Sequence, residues 1–289
     1  MNAVETNSKG YSMGWKIREK GYVRNKSLKW GITPHTLLPT KHDITLVNPH
    51  YFPEVSNQGS AETCVPDCIS TLYYYYTVRQ NNFLKFRISR LFLYYKVRKL
   101  YYKIDDDDGT TIEHCINELK DNGAPPEFIY PYDLRKLNHP PDDESEKLSK
   151  FCRCLGFECI ERNKIKLTLA NNDPIVCGIR LYKNIDNNPL VDKTGILPEI
   201  TDTDIFKGGH SVILVGYDDN TERFKFMNSW GTKWGDNGFG YINYKYIYDE
   251  KYSDEFFIFK NITNPKITLE HSEGTIKSKL NNLINIFKT

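Results

Sequence analysis

The sequence predicts an α+β protein in which a mostly helical N-terminal lobe precedes a mostly β C-terminal lobe. Residues 68–76 are almost all apolar or aromatic, which is typical of a helix buried on every side. Beyond about residue 156, short alternating segments are separated by Asn, Asp and Gly turns, which is typical of antiparallel strands. The 289 residues, 39 % of them hydrophobic, are enough for one large domain or two lobes.

Three helices are predicted in the helical lobe. The first begins at Cys64, after a Gly-containing turn, with Thr63 as its N-cap. The second covers residues 89–98, and Ser89 is its expected cap. The third follows the sequence Thr-Thr-Ile-Glu at residues 110–113, which has the spacing of a capping box.

The β lobe is predicted from a series of strand-like segments. They are residues 159–162, 175–179, 211–217, 223–227, 239–244 and 256–259. One short helix is expected over residues 163–170. Residues 43–47, before the helical lobe, also alternate briefly like a strand.

The predicted organisation has three parts. Residues 1–45 form an N-terminal arm without strong periodicity, residues 46–260 form the main domain, and residues 261–289 form a polar tail with apolar residues at helical spacing. Within the main domain, the helical lobe covers about residues 58–155 and the β lobe about residues 156–260.

Composition excludes several classes of protein. The 39 basic and 37 acidic residues give a net charge of +2 without basic clusters, so no nucleic-acid partner is expected. No apolar run is long enough for a membrane span, and the N-terminus lacks the apolar core of a secretory signal. Seven cysteines without such a signal favour reduced thiols. We therefore expect a cytoplasmic or virion protein, without a membrane partner and monomeric. The abundance of Asn, Lys, Ile and Tyr is typical of a base-biased genome such as that of a large DNA virus.

Cys64 is the candidate nucleophile. A thiol at a helix N-terminus ionises more easily, because unpaired N–H groups and the helix dipole stabilise the thiolate. An ordinary buried cysteine beside a turn is an equally good account of this stretch alone. His210 precedes one predicted strand and Asn228 follows the next, so the asparagine can orient the imidazole by a hydrogen bond to one ring nitrogen.

Three segments together resemble the papain and cathepsin-like cysteine proteases. Gln58-Gly59 followed by Cys64 resembles the oxyanion-hole glutamine and the nucleophile segment of that family, Gly209-His210 its histidine segment, and Asn228-Ser229-Trp230-Gly231 its asparagine motif. The order of the segments agrees with the family, and the resemblance extends from about Leu46 to about Phe259. It implies a papain-like fold with a helical N-terminal lobe, an antiparallel β-barrel-like C-terminal lobe, and an active-site cleft between them.

The resemblance also implies a function and a set of site residues. Cys64 is expected to be the nucleophile of a cysteine endopeptidase that acts through a thioester acyl-enzyme, His210 its acid–base, Asn228 the residue that orients the imidazole, and Gln58 an oxyanion donor. Four further residues are expected at the substrate, namely Gly109, Thr110, Gly209 and Trp230, of which the tryptophan shields the histidine–asparagine bond. Peptide or protein substrates are implied, with no cofactor and no metal.

Several departures from the family leave alternatives open. Ala61 stands where a disulfide cysteine is usual, and Val65 replaces a tryptophan. Glu62 places a carboxylate near Cys64, where it would raise the pKa of the thiol. The arm is shorter than a papain-like prosegment; one hypothesis is that it lies across the cleft and restrains activity, as in a zymogen, and the alternative is an interaction arm. A catalytically silent member of the fold, acting as a binding or structural protein, and an acyl transferase remain rival readings.

Overall fold

The computed structural model describes residues 13–17, 38–80 and 85–263. The helices are α1 (Ile44–Val47), α2 (Cys64–Arg79), α3 (Arg90–Tyr101), α4 (Ile112–Asp121), α5 (Asp143–Ser149), α6 (Ile165–Ala170), α7 (Pro189–Thr194) and α8 (Tyr244–Tyr248). The strands are β1 (Lys41–Asp43), β2 (Cys154–Cys159), β3 (Ile175–Tyr182), β4 (Phe206–Asp218), β5 (Arg223–Met227), β6 (Phe239–Asn243) and β7 (Ser253–Ile262). Within these ranges, every helix is too short or too polar to cross a bilayer.

Helix α2 is the central helix, as predicted from its apolar sequence. All of its residues except Tyr74 and Arg79 are buried, and it packs against β4 and β7. Thr63 occupies the predicted N-cap position, but its side chain makes no capping hydrogen bond. The Thr63 hydroxyl instead donates to the Asp67 carboxylate at 3.1 Å, because that buried carboxylate lies one turn into the helix.

The other two predicted helices of this lobe begin close to the predicted positions. Ser89 caps α3 by accepting a hydrogen bond from the Phe92 N–H at 3.1 Å, as predicted. Helix α4 is capped by Thr111, which accepts from the His114 N–H at 3.2 Å, one residue later than the start of the predicted capping box. Thr110 is therefore left outside the helix, on the wall of the cleft between the lobes.

The β lobe is built on one antiparallel sheet, whose described strands run in the order β2-β7-β3-β4-β5-β6, with β1 added against β4. The long strand β4 lies opposite β3, with His210 paired to Ile179. Strand β5 lies on the other side of β4 and ends at Met227, opposite Ile213. Asn228, the residue after β5, consequently lies beside the part of β4 that carries His210, which brings the two motifs together.

The strand predicted over residues 43–47 is wrong. Strand β1 is shorter and earlier, and it pairs with the end of β4. The chain then turns into α1, because the Asp43 side chain accepts from the Thr45 N–H at 2.9 Å and so caps a helix. The end of the predicted arm is thus part of the sheet, while most of the arm and the predicted tail helix fall on residues outside those described.

Candidate active site

The Cys64 thiol lies at the contact between the two lobes. Cys64 is the first residue of α2 and is completely buried. Its Sγ accepts a hydrogen bond at 3.3 Å from the backbone N–H of Ser211, which follows His210 on β4. The contact between α2 and β4 therefore places the thiol beside the strand that carries the histidine.

His210 is held by the asparagine motif. Its Nε2 lies 2.8 Å from Oδ1 of Asn228, and the same oxygen accepts from the Ser229 N–H at 2.8 Å. Because an amide oxygen only accepts, Nε2 carries the proton, which leaves Nδ1 of the neutral ring as the basic nitrogen. That Nδ1 is buried and has no hydrogen-bond partner in the described part of the chain.

Trp230 covers this pair. Its ring stacks on the His210 imidazole with centroids 4.6 Å apart and an interplanar angle of 29°. Both residues are almost fully buried, so water is excluded from the histidine–asparagine hydrogen bond on this side. The family resemblance predicts that Trp230 shields this bond, and its indole lies in contact with the imidazole.

Gln58 is tied to the asparagine motif through Ser229. The Ser229 hydroxyl donates to Oε1 of Gln58 at 2.7 Å, and the Gln58 N–H donates to the Ser229 carbonyl at 2.9 Å. Nε2 of Gln58 donates to the Ala61 carbonyl at 2.9 Å and to the Met13 carbonyl at 3.3 Å. The NH₂ group of the Gln58 side chain therefore faces the Met13 carbonyl, and its oxygen faces the Ser229 hydroxyl.

The protonation states follow from burial. Burial raises the pKa of the Cys64 thiol well above its usual range; the Cys68 thiol raises it further, and the hydrogen bond from the Ser211 N–H opposes the shift. Burial lowers the pKa of His210 to about 4, against the hydrogen bond to Asn228. The Cys64 thiol and the His210 imidazole are therefore both neutral near pH 7 in this structure.

Glu62 contributes less to the thiol than the sequence suggests. Among the groups that raise the pKa of Cys64, it ranks behind burial and behind Cys68. Its own pKa is raised to about 8 by burial and by Asp107 and Asp108, against the lowering effect of Lys16. A largely protonated carboxyl has little charge with which to suppress ionisation of the thiol.

Residues 13–17 of the N-terminal arm lie in the cleft. The Gly14 and Trp15 N–H groups donate to the Gly209 carbonyl at 3.1 and 3.0 Å, on the side of the β lobe. On the side of the helical lobe, the Thr110 N–H donates to the Gly14 carbonyl at 2.8 Å, and the Lys16 N–H donates to the Thr110 carbonyl at 2.9 Å. Trp15 and Thr110 thus form a parallel bridge, and the segment joins both walls.

Three of the predicted substrate-contacting residues therefore contact the arm. Gly109 has a φ of +74°, and a Cβ on it would overlap the Gly14 carbonyl, so a side chain there would obstruct the groove. A Cβ on Gly209 would overlap the Trp15 backbone. Gly14 itself approaches the Glu62 carbonyl so closely that it has no room for a Cβ. The groove is shaped for a closely apposed peptide backbone.

The Trp15 side chain fills a pocket beside the catalytic candidates. The indole packs directly on Gly178 of β3, where a Cβ would overlap the ring. Its Nε1 donates to Oε2 of Glu255 at 2.5 Å in the protein interior. Trp15 and Glu255 are 3 % and 0 % exposed.

Sequence reasoning missed Ser229, Trp15 and Glu255 as members of this site. Ser229 belongs to the quoted asparagine motif, so its position was available although its role was not. Trp15 stands out only as an aromatic residue in a polar arm, and Glu255 as an acidic residue at the start of an apolar strand. No local pattern in the sequence links those two residues.

Comparison with known proteins shows which family the chain resembles. The model of the papain family of cysteine proteases matches residues 102–254. An uncharacterized peptidase C1-like protein of Acanthamoeba polyphaga mimivirus is 33 % identical over 223 residues, which cover 73 % of this chain and 71 % of that protein. A viral cathepsin of Spodoptera litura multicapsid nucleopolyhedrovirus is 28 % identical over 136 residues, covering 46 % of this chain and 37 % of that protein.

A solved structure has the same fold. Xylellain, a cysteine protease from Xylella fastidiosa, superposes with a TM-score of 0.76 at 27 % identity, and the match covers 89 % of this chain and 98 % of that one. The two-lobe arrangement predicted from the sequence is therefore confirmed at the level of the fold.

Proposed function

The chain belongs to the papain family of cysteine proteases, and we propose that it hydrolyses peptide bonds with Cys64 as nucleophile and His210 as acid–base. The observation that carries this assignment is the contact of Cys64 Sγ with the Ser211 N–H, beside a histidine whose Nδ1 is unbonded while Nε2 is held by Asn228. A nucleophile, a base and an orienting group in this arrangement are what acyl transfer requires.

The proposed reaction begins with transfer of the thiol proton to Nδ1 of His210. The Cys64 sulfur attacks the scissile carbonyl carbon, and the carbonyl oxygen becomes an oxyanion. His210 then donates the proton to the leaving amine as the carbon–nitrogen bond breaks and a thioester remains. Water attacks the thioester with its proton taken by His210, which releases the acid and restores the thiol.

Two donors are proposed for the oxyanion. The first is Nε2 of Gln58, which now donates to the Met13 carbonyl, a group of the same kind as a substrate carbonyl. The second is the Cys64 N–H, which as the first amide of α2 has no acceptor within the helix. Preorganised donors of this kind stabilise charge that appears only during reaction.

The state with residues 13–17 in the cleft is proposed to be inactive. The segment occupies the groove between Thr110 and Gly209, and its Met13 carbonyl takes the proposed oxyanion donor. Proton transfer from a thiol with a raised pKa to an imidazole with a pKa of about 4 is unfavourable. Displacement of the segment admits water and substrate, so the arm acts as the inhibitory part of a zymogen.

The test of the nucleophile is substitution Cys64→Ala. We expect it to abolish peptide turnover and labelling by an active-site-directed thiol reagent. Cys68→Ala is the matched control: this thiol lies one turn along α2, is also buried, and has a pKa raised to about 12 by that burial, so its loss should leave both properties intact. Turnover by the Cys64→Ala protein would contradict the assignment.

The test of inhibition is removal of residues 1–39. We expect the shortened protein to react faster with the thiol reagent and to turn over peptide faster than the full chain. Without the arm, Gln58 no longer donates to the Met13 carbonyl, and the groove between Thr110 and Gly209 is open to substrate. A rate equal to that of the full chain would count against an inhibitory arm.

A further inference from the structure

The two proposed oxyanion donors are joined by an irregular stretch of chain. Gln58 lies at one end of it, and Cys64, the first residue of α2, lies at the other. Residues 58–63, all of which the structure describes, form neither helix nor strand, and Gly59 turns the chain with a φ of +61°. Such a loop does not by itself fix the distance between the Gln58 amide and the Cys64 N–H, so contacts with other parts of the fold must do so.

The Tyr132 hydroxyl contacts both ends of this stretch. Its oxygen lies 2.8 Å from the Gln58 carbonyl oxygen and 2.6 Å from Oγ1 of Thr63. Because the Thr63 hydroxyl donates to the Asp67 carboxylate, the single proton of Tyr132 serves both acceptors. Burial and then the charge of Asp67 raise the pKa of Tyr132, so this hydroxyl stays protonated and remains a donor.

The Tyr132 ring is held in place by ion pairs. Cζ of the Arg90 guanidinium lies 3.9 Å from the centre of the ring. Arg90 donates to the Asp67 carboxylate at 2.7 Å, and to the two oxygens of Glu127 at 2.7 and 2.9 Å. Arg90 and Asp67 are 7 % and 1 % exposed, so separating them would leave a buried charge unpaired. The ring therefore lies against a fixed support on the helical lobe.

The Gln58 backbone is held from both lobes. Its N–H donates to the Ser229 carbonyl of the β lobe at 2.9 Å, and its carbonyl accepts from Tyr132 on the helical lobe. The Ser229 hydroxyl contacts the side-chain oxygen of Gln58 and so orients the amide. Tyr132 has a different effect, because it connects the Gln58 backbone to the residue before Cys64.

We infer that Tyr132 is a positioning residue that sets the Gln58 donor at the correct distance from the Cys64 N–H; this inference rests on the proposed peptidase function. Both donors must lie within hydrogen-bond distance of one oxyanion. A displacement of about 1 Å can cost about a hundredfold in rate. Loss of the Tyr132 hydroxyl should therefore slow the chemical step and leave substrate binding unchanged.

The experiment compares Tyr132→Phe with Tyr130→Phe in the full-length chain. All proteins carry Gly14→Ala, whose Cβ would overlap the Glu62 carbonyl and so loosen the arm. Tyr130 is the matched control, because it is also a buried tyrosine and its hydroxyl donates to the His139 carbonyl at 3.4 Å, away from the site. We expect Tyr132→Phe to lower kcat for a fluorogenic peptide about tenfold without changing KM. Tyr130→Phe should retain both constants, and thermal melts by circular dichroism should be alike, because phenylalanine keeps each ring.

A double-mutant cycle with Gln58→Ala separates positioning from a purely structural effect. Alanine at this position keeps the backbone carbonyl that Tyr132 contacts but removes the donor that is to be positioned. We expect Gln58→Ala to lower kcat about a hundredfold or more. Adding Tyr132→Phe to it should change kcat less than about twofold. A further loss as large as that of Tyr132→Phe alone would overturn the inference, since it would show an effect that does not pass through the Gln58 side chain.

Alkylation of the Cys64 thiol by iodoacetamide gives an independent measurement. This reaction displaces iodide and forms no oxyanion, so Tyr132→Phe should leave its rate unchanged. A parallel loss of alkylation and of kcat would overturn the inference. A kcat of Tyr132→Phe equal to that of its parent would also overturn it and would leave the proposed hydrolysis standing. Absence of peptide turnover in the Gly14→Ala parent would instead overturn the hydrolysis and, with it, the role of Tyr132.

Discussion

Ser229 links the two halves of the proposed catalytic site. Its N–H contacts the oxygen of Asn228 that holds the histidine, and its hydroxyl contacts the oxygen of Gln58. Since the second contact fixes which way the Gln58 amide faces, the hydroxyl keeps the NH₂ group, and not the oxygen, on the side of the Met13 carbonyl. One residue thus positions the proposed acid–base, through its backbone N–H and Asn228, and the proposed oxyanion donor, through its hydroxyl.

Substitution Ser229→Ala is expected to lower kcat about tenfold with little change in KM, because one hydrogen bond that positions Gln58 is lost. Steady-state kinetics with a peptide substrate provides the measurement. Ser253→Ala is the matched control, since Ser253 is also buried and its hydroxyl donates to a backbone carbonyl at 2.8 Å away from the site. Equal losses in the two variants would mean that Ser229 acts only on stability.

At the level of elements, the site depends on how β4 meets α2 and the arm. Strand β4 supplies His210, the N–H that contacts the Cys64 sulfur, and the Gly209 carbonyl that accepts from the arm. The loop before α4 supplies the opposite wall, and the Tyr94 hydroxyl supports it by accepting from the Gly109 N–H at 3.0 Å. The width of the groove is therefore set by elements that are far apart in the chain.

Substitution Gly14→Ala is expected to weaken the hold of the arm. Its Cβ would overlap the Glu62 carbonyl, and the φ of +137° at this position strains any residue with a side chain. We expect Cys64 to react with a thiol reagent about tenfold faster. This change corresponds to a loss of ~1.4 kcal/mol from the free energy with which the arm binds in the cleft. Gly156→Ala is the control, because its Cβ would meet nothing closer than Lys260 at 3.7 Å. No change in rate for Gly14→Ala would contradict inhibition by this segment.

For the molecule as a whole, folding changes the titration of a carboxyl group at the edge of the groove. Glu62 lies at the edge of the groove with Asp107 and Asp108, and burial among these charges raises its pKa to about 8 from an ordinary 4.5. Between those values the folded state binds more protons than the unfolded chain. Stability must then fall as pH rises from about 4.5 to 8, since the proton is lost from a group that the fold keeps neutral.

Substitution Glu62→Gln should remove this part of the pH dependence. Glutamine resembles the protonated acid, so we expect the variant to gain thermal stability over the wild type at pH 8.5 and little at pH 4.5, with a difference of about 2 °C or more in Tm. Thermal melts at the two pH values measure it. Glu161→Gln, which changes an exposed carboxylate paired with Lys164, should give the same small effect at both. A gain for Glu62→Gln that is equal at both pH values would exclude this linkage.

Elements with local signals could be predicted from the amino-acid sequence. The apolar run after Cys64 predicted the central helix, Ser89 predicted the cap of α3, and alternation predicted most of the strands, because periodicity and capping involve residues a few positions apart. The quoted motifs pointed to the papain family, which comparison confirmed. Local signals also misled: residues 44–47 are helical although their alternation predicted a strand, and Thr63 lies at the N-cap of α2 without a capping hydrogen bond from its side chain.

The residues that occupy and surround the cleft could not be predicted from local patterns. The bond between Trp15 and Glu255 joins residues 240 positions apart, and neither residue lies in a recognisable motif. The turn of the Gln58 amide toward the cleft likewise depends on Ser229, 171 positions away. Such contacts form when the β lobe packs against α2 and the arm enters between the lobes, so they depend on the relative placement of whole elements and not on the neighbours of a residue in the chain.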